Sequence, residues 1–148
     1  MKLVLKKAAL LIPVPLLVFF FCGFKIPADC DPEVLRSRLS VELRGFGFIK
    51  SFEIETKGSD DKKEFSYVLS KDETYRLAVA DENEKGHKLV VTLLDRNKKV
   101  IATNYNRQRK EVSTFVEYVC EATGVYYIQA SFQQNESACG LVVLAHKK

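Results

Sequence analysis

The stretch EFSYVLSKDETYRLAV, residues 64–79, decides the fold class of this chain. Every second residue from Phe65 to Leu69 is aromatic or aliphatic, and after the polar turn 70–73 the same alternation resumes from Tyr75 to Val79. A period of two places the apolar side chains on one face of an extended strand, whereas an amphipathic helix needs a period near 3.6. The stretch therefore predicts two half-buried β-strands with a short polar turn between them.

The alternating pattern recurs along most of the chain. Further strands are predicted over residues 46–54, 89–94, 100–103, 112–120, 125–132 and 139–145. The polar turn 95–99 is typical of a hairpin between two of these strands. About eight strands joined by short polar turns, with no helix between them, predict an all-β fold, an antiparallel β-sandwich of jelly-roll type.

A short helix is predicted ahead of the strands. Asp31 is a favoured N-cap residue, Pro32 suits the first helical turn, and Glu33 lies near the positive end of the helix dipole. An apolar stripe recurs every four residues at Leu35, Leu39 and Leu43. These features predict a helix over residues 32–43 that ends before Gly45. The alternation within 39–43 leaves open that the second half already belongs to a strand.

Residues 1–28 have the layout of an export signal, a basic start followed by an apolar stretch. Three interpretations remain open: cleavage after Ala28, retention as a membrane anchor, or lipidation of Cys22. Each interpretation places a single domain, residues 29–148, outside the cytoplasm as a secreted, periplasmic or membrane-anchored protein. Membrane contact is expected only through residues 1–28 or a lipid on Cys22.

The formal net charge of +4 comes entirely from this N-terminal segment. Four of the 23 basic residues lie in residues 1–28 and none of the 19 acidic residues does, which leaves 19 residues of each sign in the domain. Nucleic-acid binding normally needs a net basic domain or a concentrated basic stripe. We therefore expect no nucleic-acid partner.

The domain contains three cysteines, Cys30, Cys120 and Cys139. If the last three strands form a simple meander, Cys120 and Cys139 lie about 25 Å apart, whereas a disulfide needs Cα atoms within about 7 Å. They can pair only if the chain changes sheet between them. Cys30 can reach either one, and the odd count leaves a free thiol or a partner on another chain. Cys120 and Cys139 are equally compatible with small buried hydrophobic residues.

The chain lacks the recognised motifs of catalysis and metal binding. Its two histidines are His87, in a charged loop, and His146, near the C-terminus, and neither accompanies a nucleophile motif. Zinc sites need four Cys or His ligands at short spacings, and residues 81–84 lack the spacing of a calcium loop, which predicts a solvated acidic loop instead. We expect a non-catalytic protein without cofactor or metal. A hydrolase assembled from distant residues is the remaining enzymatic interpretation.

Five residues are candidate ligand contacts: Tyr105, Arg107, Arg109, Lys110 and Tyr127. If the cations share one edge with Lys98 and Lys99, they predict binding to an anionic partner; a solvated edge that prevents strand aggregation is the alternative. Only one of the adjacent Tyr126 and Tyr127 can face the core. Asn135 begins an Asn-Glu-Ser sequon, which predicts glycosylation in a host that glycosylates secreted proteins.

Three segments in sequence order resemble the bacterial pre-peptidase C-terminal domain, a jelly-roll module appended to secreted enzymes. They are EFSYVLSKDETYRLAV (64–79), LVVTLLDRNKKVIATN (89–104) and ATGVYYIQASF (122–132), within a pattern that covers residues 64–148. The resemblance implies a jelly-roll fold and an extracellular context, with no active site. The family often has paired aspartates where this chain has residues 85–88, Lys-Gly-His-Lys, so no calcium role is carried over.

These observations predict an exported, non-catalytic binding module of the cell envelope or extracellular space, whose partner is a protein or a polysaccharide. The principal alternative is a structural or assembly factor that forms homo-oligomers or part of an envelope complex. A hydrolase is the third interpretation. Intact mass and disulfide mapping would decide the fate of residues 1–28 and the state of the thiols.

Overall fold

The computed structural model describes residues 30–56, 61–82, 88–133 and 138–148. The segment 1–28 with Cys22, the loop residue His87 and the sequon residue Asn135 lie outside the described residues, so the inferences about them stay predictions. The described elements are α1 (Pro32–Arg38), β1 (Phe46–Thr56), β2 (Lys63–Leu69), β3 (Thr74–Asp81), β4 (Leu89–Leu94), β5 (Val100–Thr103), β6 (Tyr105–Asn106), β7 (Glu111–Val112), β8 (Phe115–Val119), β9 (Gly124–Phe132) and β10 (Ala138–Lys147). None of the helices in these ranges is long and apolar enough to cross a membrane.

The strands pair in a nested order. Sheet A has the order β1-β10-β3-β8 and sheet B the order β2-β9-β4-β5. β1 pairs with β10, β2 with β9 and β3 with β8, all antiparallel, around the central β4–β5 hairpin. A long hairpin folded over in this way gives two four-stranded sheets, the arrangement of a jelly roll. The predicted antiparallel β-sandwich with a short N-terminal helix, and the hairpin at 95–99, are confirmed.

The turn within residues 64–79 carries the chain from one sheet to the other, since β2 lies in sheet B and β3 in sheet A. Asp72 adopts a left-handed conformation with φ 66°, and its backbone N–H donates to the carbonyl of Cys120 over 2.8 Å. The N–H of Cys120 in turn donates to the Glu73 carbonyl over 2.9 Å. The turns before β3 and before β9 are therefore joined at one end of the sandwich.

The main core lies between the two sheets and is filled by the alternating side chains of their strands. Its fully buried members include Ile54, Val79, Leu89, Val91, Ile128 and Val142. Burial of each such side chain contributes on the order of 1.5–3 kcal/mol of stabilisation relative to exposure. The period of two in the sequence thus corresponds to the inward face of each strand.

A second, smaller core lies under α1, on the outer face of sheet A. Leu35 and Leu39 are each 2% exposed and pack against small or branched side chains of β3 and β10, namely Ala78, Ala80, Leu141 and Val143. The carboxylate of Asp31 accepts the N–H of Glu33 over 2.8 Å and caps the helix as expected. The two central strands of sheet A, β3 and β10, are therefore covered on both faces.

The helix ends earlier than the sequence predicts. It stops at Arg38, and residues 39–45 form turns instead of the last helical turn expected up to Leu43. The chain must reverse here to enter β1 at Phe46, and Gly45 adopts φ +80°, which favours glycine. Leu43 nevertheless packs against the core under α1, because a turn also places it over Leu39.

The last three long strands do not form a simple meander. β8 and β10 lie in sheet A, whereas the intervening β9 lies in sheet B. The strand predicted over 112–120 is also interrupted: residues 113 and 114 separate β7 from β8, and β7 pairs only with β6 in a small two-stranded sheet. The chain therefore changes sheet twice between Cys120 and Cys139.

Candidate functional site

Residues 105–112, one of the segments that connect the two sheets, form a short β-hairpin that we call the basic hairpin. β6 and β7 pair through Tyr105 with Val112 and Asn106 with Glu111. The side chain of Asn106 accepts the N–H groups of Gln108 and Arg109 over 3.0 and 3.1 Å, so the turn at 107–110 is fixed by its own side chain. The hairpin leaves β5 at the edge of sheet B and enters β8 at the edge of sheet A.

The base of the basic hairpin is fixed by a buried asparagine, Asn104, which is 4% exposed. Its side-chain oxygen accepts the N–H of Val91 over 2.8 Å. Its amide nitrogen donates to the carbonyls of Leu89 and Ser113 over 3.1 and 2.8 Å. One side chain thus ties the hairpin to the centre of β4. The sequence offered no signal for this role, because an asparagine after a strand is as typical of an exposed turn.

Arg107, Arg109 and Lys110 are all exposed on the turn of the basic hairpin. No ion pair involves them within the described part of the chain, and Glu111 is the acidic residue of the hairpin. Their charges therefore face solvent, available to a partner. Tyr105 lies at the base of the same hairpin and is half-buried. Four of the five predicted ligand contacts are brought together here.

The structure does not bring Lys98 and Lys99 to this cluster. They lie in the turn before β5, whereas the basic hairpin follows β5, and a four-residue strand spans roughly 13 Å. Lys98 is also engaged elsewhere, since its ammonium group pairs with Glu64 and lies 3.1 Å from the ring centroid of Tyr127. The five cations therefore do not form one cluster, although the two turns that contain them flank the same edge strand, β5.

Tyr127, the fifth predicted contact, lies apart from the hairpin on the outer face of β9. Tyr126 beside it is 6% exposed and faces the core, which confirms that only one of the pair faces outward. The Lys98 ammonium occupies one face of the Tyr127 ring through a cation–π contact. That face of the ring is consequently not open for stacking on a sugar.

The cysteines resolve into one disulfide and one thiol. Cys30 is bonded to Cys139, with their Cα atoms 5.9 Å apart, and Cys120 is free and fully buried. Cys120 and Cys139 do not form a disulfide with each other. Cys120 lies in the turn before β9 and Cys139 lies at the start of β10, so the two are at opposite ends of the sandwich. Because Cys120 is buried, it has no access to a cysteine of another chain.

The acidic stretch that begins at Asp81 is not solvated throughout. Asp81 is 1% exposed, and its carboxylate accepts the N–H groups of Lys88 and Leu89 over 2.6 and 2.9 Å. It thereby closes the connection between β3 and β4, which explains why a carboxylate is buried there. Glu82 lies beside the disulfide, and residues 83 and 84 are outside the described ranges.

A cluster of hydroxyl and thiol groups lies at the opposite end of the sandwich from the disulfide. The hydroxyl of Tyr126 donates to the Ala122 carbonyl over 2.8 Å, and the thiol of Cys120 lies 3.6 Å from that hydroxyl. Two effects raise the pKa of Tyr126 above its ordinary value of 10.0. The larger is a hydrogen bond with Tyr118, and the second is the burial of the phenol. The phenol is therefore held neutral and serves as a packing and hydrogen-bonding group.

Comparison with known proteins finds a solved structure with a similar fold but no family to which the chain can be assigned. No family profile matches the chain, and no curated protein sequence matches it. A solved structure is similar, that of PliG from Aeromonas hydrophila, a periplasmic lysozyme inhibitor of g-type lysozyme, with a TM-score of 0.52 and 11% sequence identity. The similarity covers 66% of this chain and 85% of PliG. At this identity the two chains share a fold, and the class defined here is a β-sandwich of that architecture.

Proposed function

We propose that this protein is an exported, non-catalytic module that binds another protein of the cell envelope or extracellular space through its basic hairpin. The Cys30–Cys139 disulfide supports an oxidising compartment, because such bonds persist outside the cytoplasm. The periplasmic PliG, with the same fold, is a precedent for a binding role. The resemblance of residues 64–148 to the pre-peptidase C-terminal domain is a parallel proposal and also implies an extracellular, non-catalytic module.

The observation that carries the proposal is the group of three exposed cations on one fixed turn. A narrow turn enters a concave site more readily than it covers a flat surface. Guanidinium groups bind carboxylates with two parallel hydrogen bonds, so Arg107 and Arg109 suit a cleft lined by Asp or Glu. Glycoside hydrolases place a pair of carboxyl groups in such a cleft. Since PliG inhibits a g-type lysozyme, we propose a lysozyme-type hydrolase as the partner.

The hairpin is preorganised for such an insertion. Asn104 fixes its base, Asn106 fixes its turn, and Lys110 already adopts the left-handed conformation that the turn requires, with φ 54°. Little backbone entropy remains to be lost when a partner binds, which favours affinity. A polysaccharide partner has less support, because Lys98 covers one face of the Tyr127 ring.

The test is inhibition of purified lysozymes of the g and c types by the domain, measured as clearing of a peptidoglycan suspension, together with affinity by calorimetry. The triple variant Arg107→Ala, Arg109→Ala, Lys110→Ala should bind at least about tenfold more weakly, because each charged pair lost at an interface costs several-fold in affinity. Wild-type affinity should fall as salt rises.

Arg96→Ala with Lys99→Ala is the matched control, because it removes exposed cations from the other turn of β5 and should leave the affinity unchanged. Equal binding by the triple variant and the wild type would refute the hairpin as the contact. Binding to peptidoglycan itself, without enzyme, would point to the polysaccharide alternative. Hydrolysis of peptidoglycan by the purified protein would contradict a non-catalytic role.

A further inference from the structure

Three potential metal ligands converge beside the start of α1: Cys30, Glu82 and Cys139. One carboxylate oxygen of Glu82 lies 3.7 Å from the sulfur of Cys30 and 3.7 Å from that of Cys139, and the three donor atoms lie within 4.8 Å of one another. They come from three distant parts of the chain, so no local sequence motif indicates that they form a metal site. Cys139 is buried, and the other two are half-buried.

The backbone holds these residues together independently of the bond between the sulfurs. The N–H of Glu82 donates to the carbonyl of Cys139 over 3.3 Å, which places the end of β3 against the start of β10. Cys139 is also paired with Glu55 in the β1–β10 ladder. Cys30 precedes α1, which the buried Leu35 anchors to sheet A. Breaking the disulfide therefore leaves the two sulfurs and the carboxylate close together.

The carboxylate of Glu82 accepts no hydrogen bond from the disulfide that it faces. A disulfide sulfur has no hydrogen to donate, and Glu82 has no ion pair with a cation in the described ranges of the chain. Two thiolates would instead complete a donor set of two sulfurs and one oxygen around a small cation. Zinc binds such ligands with Zn–S near 2.3 Å and Zn–O near 2.0–2.2 Å.

The spacing of the donors matches that chemistry. Tetrahedral geometry with those bond lengths places neighbouring ligand atoms about 3.5–3.8 Å apart, and both sulfur–oxygen distances are 3.7 Å. Only the two sulfurs must separate, which rotation about the cysteine side-chain bonds permits. We propose that, after reduction of the Cys30–Cys139 disulfide, the protein binds one zinc-class divalent cation through Cys30, Cys139 and Glu82, with water as the fourth ligand.

The disulfide and the metal site exclude each other, because both use the sulfurs of Cys30 and Cys139. A dithiol reductant transfers two electrons and two protons to the disulfide, giving two thiols, and is itself oxidised to a disulfide. Binding of the cation then displaces both thiol protons to solvent, since thiolate is the ligand. The oxidised protein has no free thiolate at this site and binds no cation there. The site is thus gated by the redox state, independently of the proposed hairpin function.

Cobalt titration tests the proposal, because Co²⁺ substitutes for zinc and its thiolate and tetrahedral complexes absorb in the near-ultraviolet and visible ranges. The domain is reduced with dithiothreitol, freed of it without air, and titrated. We expect thiolate–cobalt absorption that saturates at one equivalent, is displaced by Zn²⁺ and is absent from the oxidised protein. Cys139→Ser should abolish the band, and Glu82→Gln should weaken Co²⁺ affinity at least about tenfold.

Cys120→Ala is the matched control, since it removes the remaining cysteine of the domain and should leave the titration unchanged. Absence of the band from reduced, folded protein would overturn the proposal, as would a band of equal strength in Cys139→Ser. Unchanged affinity in Glu82→Gln would exclude the carboxylate as a ligand. If reduction alone unfolds the domain, Zn²⁺ must restore its β-sheet circular dichroism, and failure to do so also overturns the proposal.

Discussion

At the scale of single residues, buried polar side chains organise the loops of this sandwich. Asn104 and Asp81 are almost fully buried, and each satisfies backbone groups at a place where the chain leaves a strand. A net hydrogen bond contributes about 1 kcal/mol, but a buried group left without its partner costs about 1–3 kcal/mol. These few polar contacts therefore determine where the connections lie.

Removal of the Asn104 side chain tests this directly. Asn104→Ala leaves the N–H of Val91 and the carbonyls of Leu89 and Ser113 without their partner, so we expect the free energy of unfolding to fall by about 3 kcal/mol. Urea unfolding followed by circular dichroism measures it. Asn97→Ala, at an exposed asparagine in the turn before β5, should change stability by less than about 0.5 kcal/mol. A similar small change in Asn104→Ala would contradict the role of this side chain.

The turn of the basic hairpin contains a strained residue that glycine should relieve. Lys110 has φ 54°, a conformation that costs a residue with a Cβ roughly 1 kcal/mol. Lys110→Gly should therefore raise the free energy of unfolding by about 0.5–1 kcal/mol, while weakening the proposed partner binding. Thermal denaturation measures the first effect. Lys99→Gly, at a position with ordinary φ, should give no gain, and a loss of stability in Lys110→Gly would refute the expectation.

The raised pKa of Tyr126 predicts alkaline sensitivity. The phenol must stay neutral to donate to Ala122, so its contribution to stability is complete below pH 10.0, the value for the unfolded chain, and is lost as the pH rises through the higher folded-state pKa. We expect the unfolding free energy of the wild type to decline above pH 10 and that of Tyr126→Phe to decline less. Tyr127→Phe should keep the wild-type decline. Parallel curves for wild type and Tyr126→Phe would contradict this.

At the scale of elements, α1 is joined to sheet A by packing and by a covalent bond. Leu35 and Leu39 bury the helix stripe, and the guanidinium of Arg38 donates to the Asp81 carbonyl over 3.1 Å. The disulfide adds a bond between residues 109 positions apart, just before the helix and at the start of β10. The helix thus covers the central strands of sheet A on their outer face, as a fixed part of the domain.

Loss of the disulfide should be costly because the loop it closes is long. In the chain-entropy account, closing a loop of about 100 residues stabilises the folded state by about 4–5 kcal/mol, so Cys30→Ser with Cys139→Ser should lower the unfolding free energy by up to about 4 kcal/mol. Guanidinium unfolding measures the change. Cys120→Ala, at the buried free thiol, should lose only about 1 kcal/mol. A double serine variant as stable as the wild type would show that the bond constrains little.

Local sequence pattern predicts the elements themselves better than their ends and connections. The strands follow from period-two burial, which is local, as in 64–79. The end of α1 does not follow from the local pattern. The apolar stripe at Leu35, Leu39 and Leu43 continues past the last helical residue, but the helix ends because the chain must turn at Gly45 to enter β1. The disulfide depends on two strand ends meeting in space, which spacing along the chain does not express.

At the scale of the whole molecule, the candidate site depends on topology. Arg107, Arg109 and Lys110 are recognisable in the sequence as a group of cations, and the structure keeps them together on one turn. Their separation from Lys98 follows from the position of β5 between the two turns, and their fixed placement follows from Asn104. Both are long-range relations, which explains why the sequence indicated the residues and not their arrangement.

The nested pairing of strands also has a consequence for biogenesis. β10 lies between β1 and β3 in the middle of sheet A, yet it is synthesised after every other described strand of the two sheets. Until residues 138–148 leave the ribosome, β1 and β3 lack the neighbour that joins them. Pairings of such long sequence separation form slowly, on the order of milliseconds to seconds. A nascent or truncated chain therefore exposes unpaired strand edges, which makes it a substrate for chaperones and proteases and prone to aggregation.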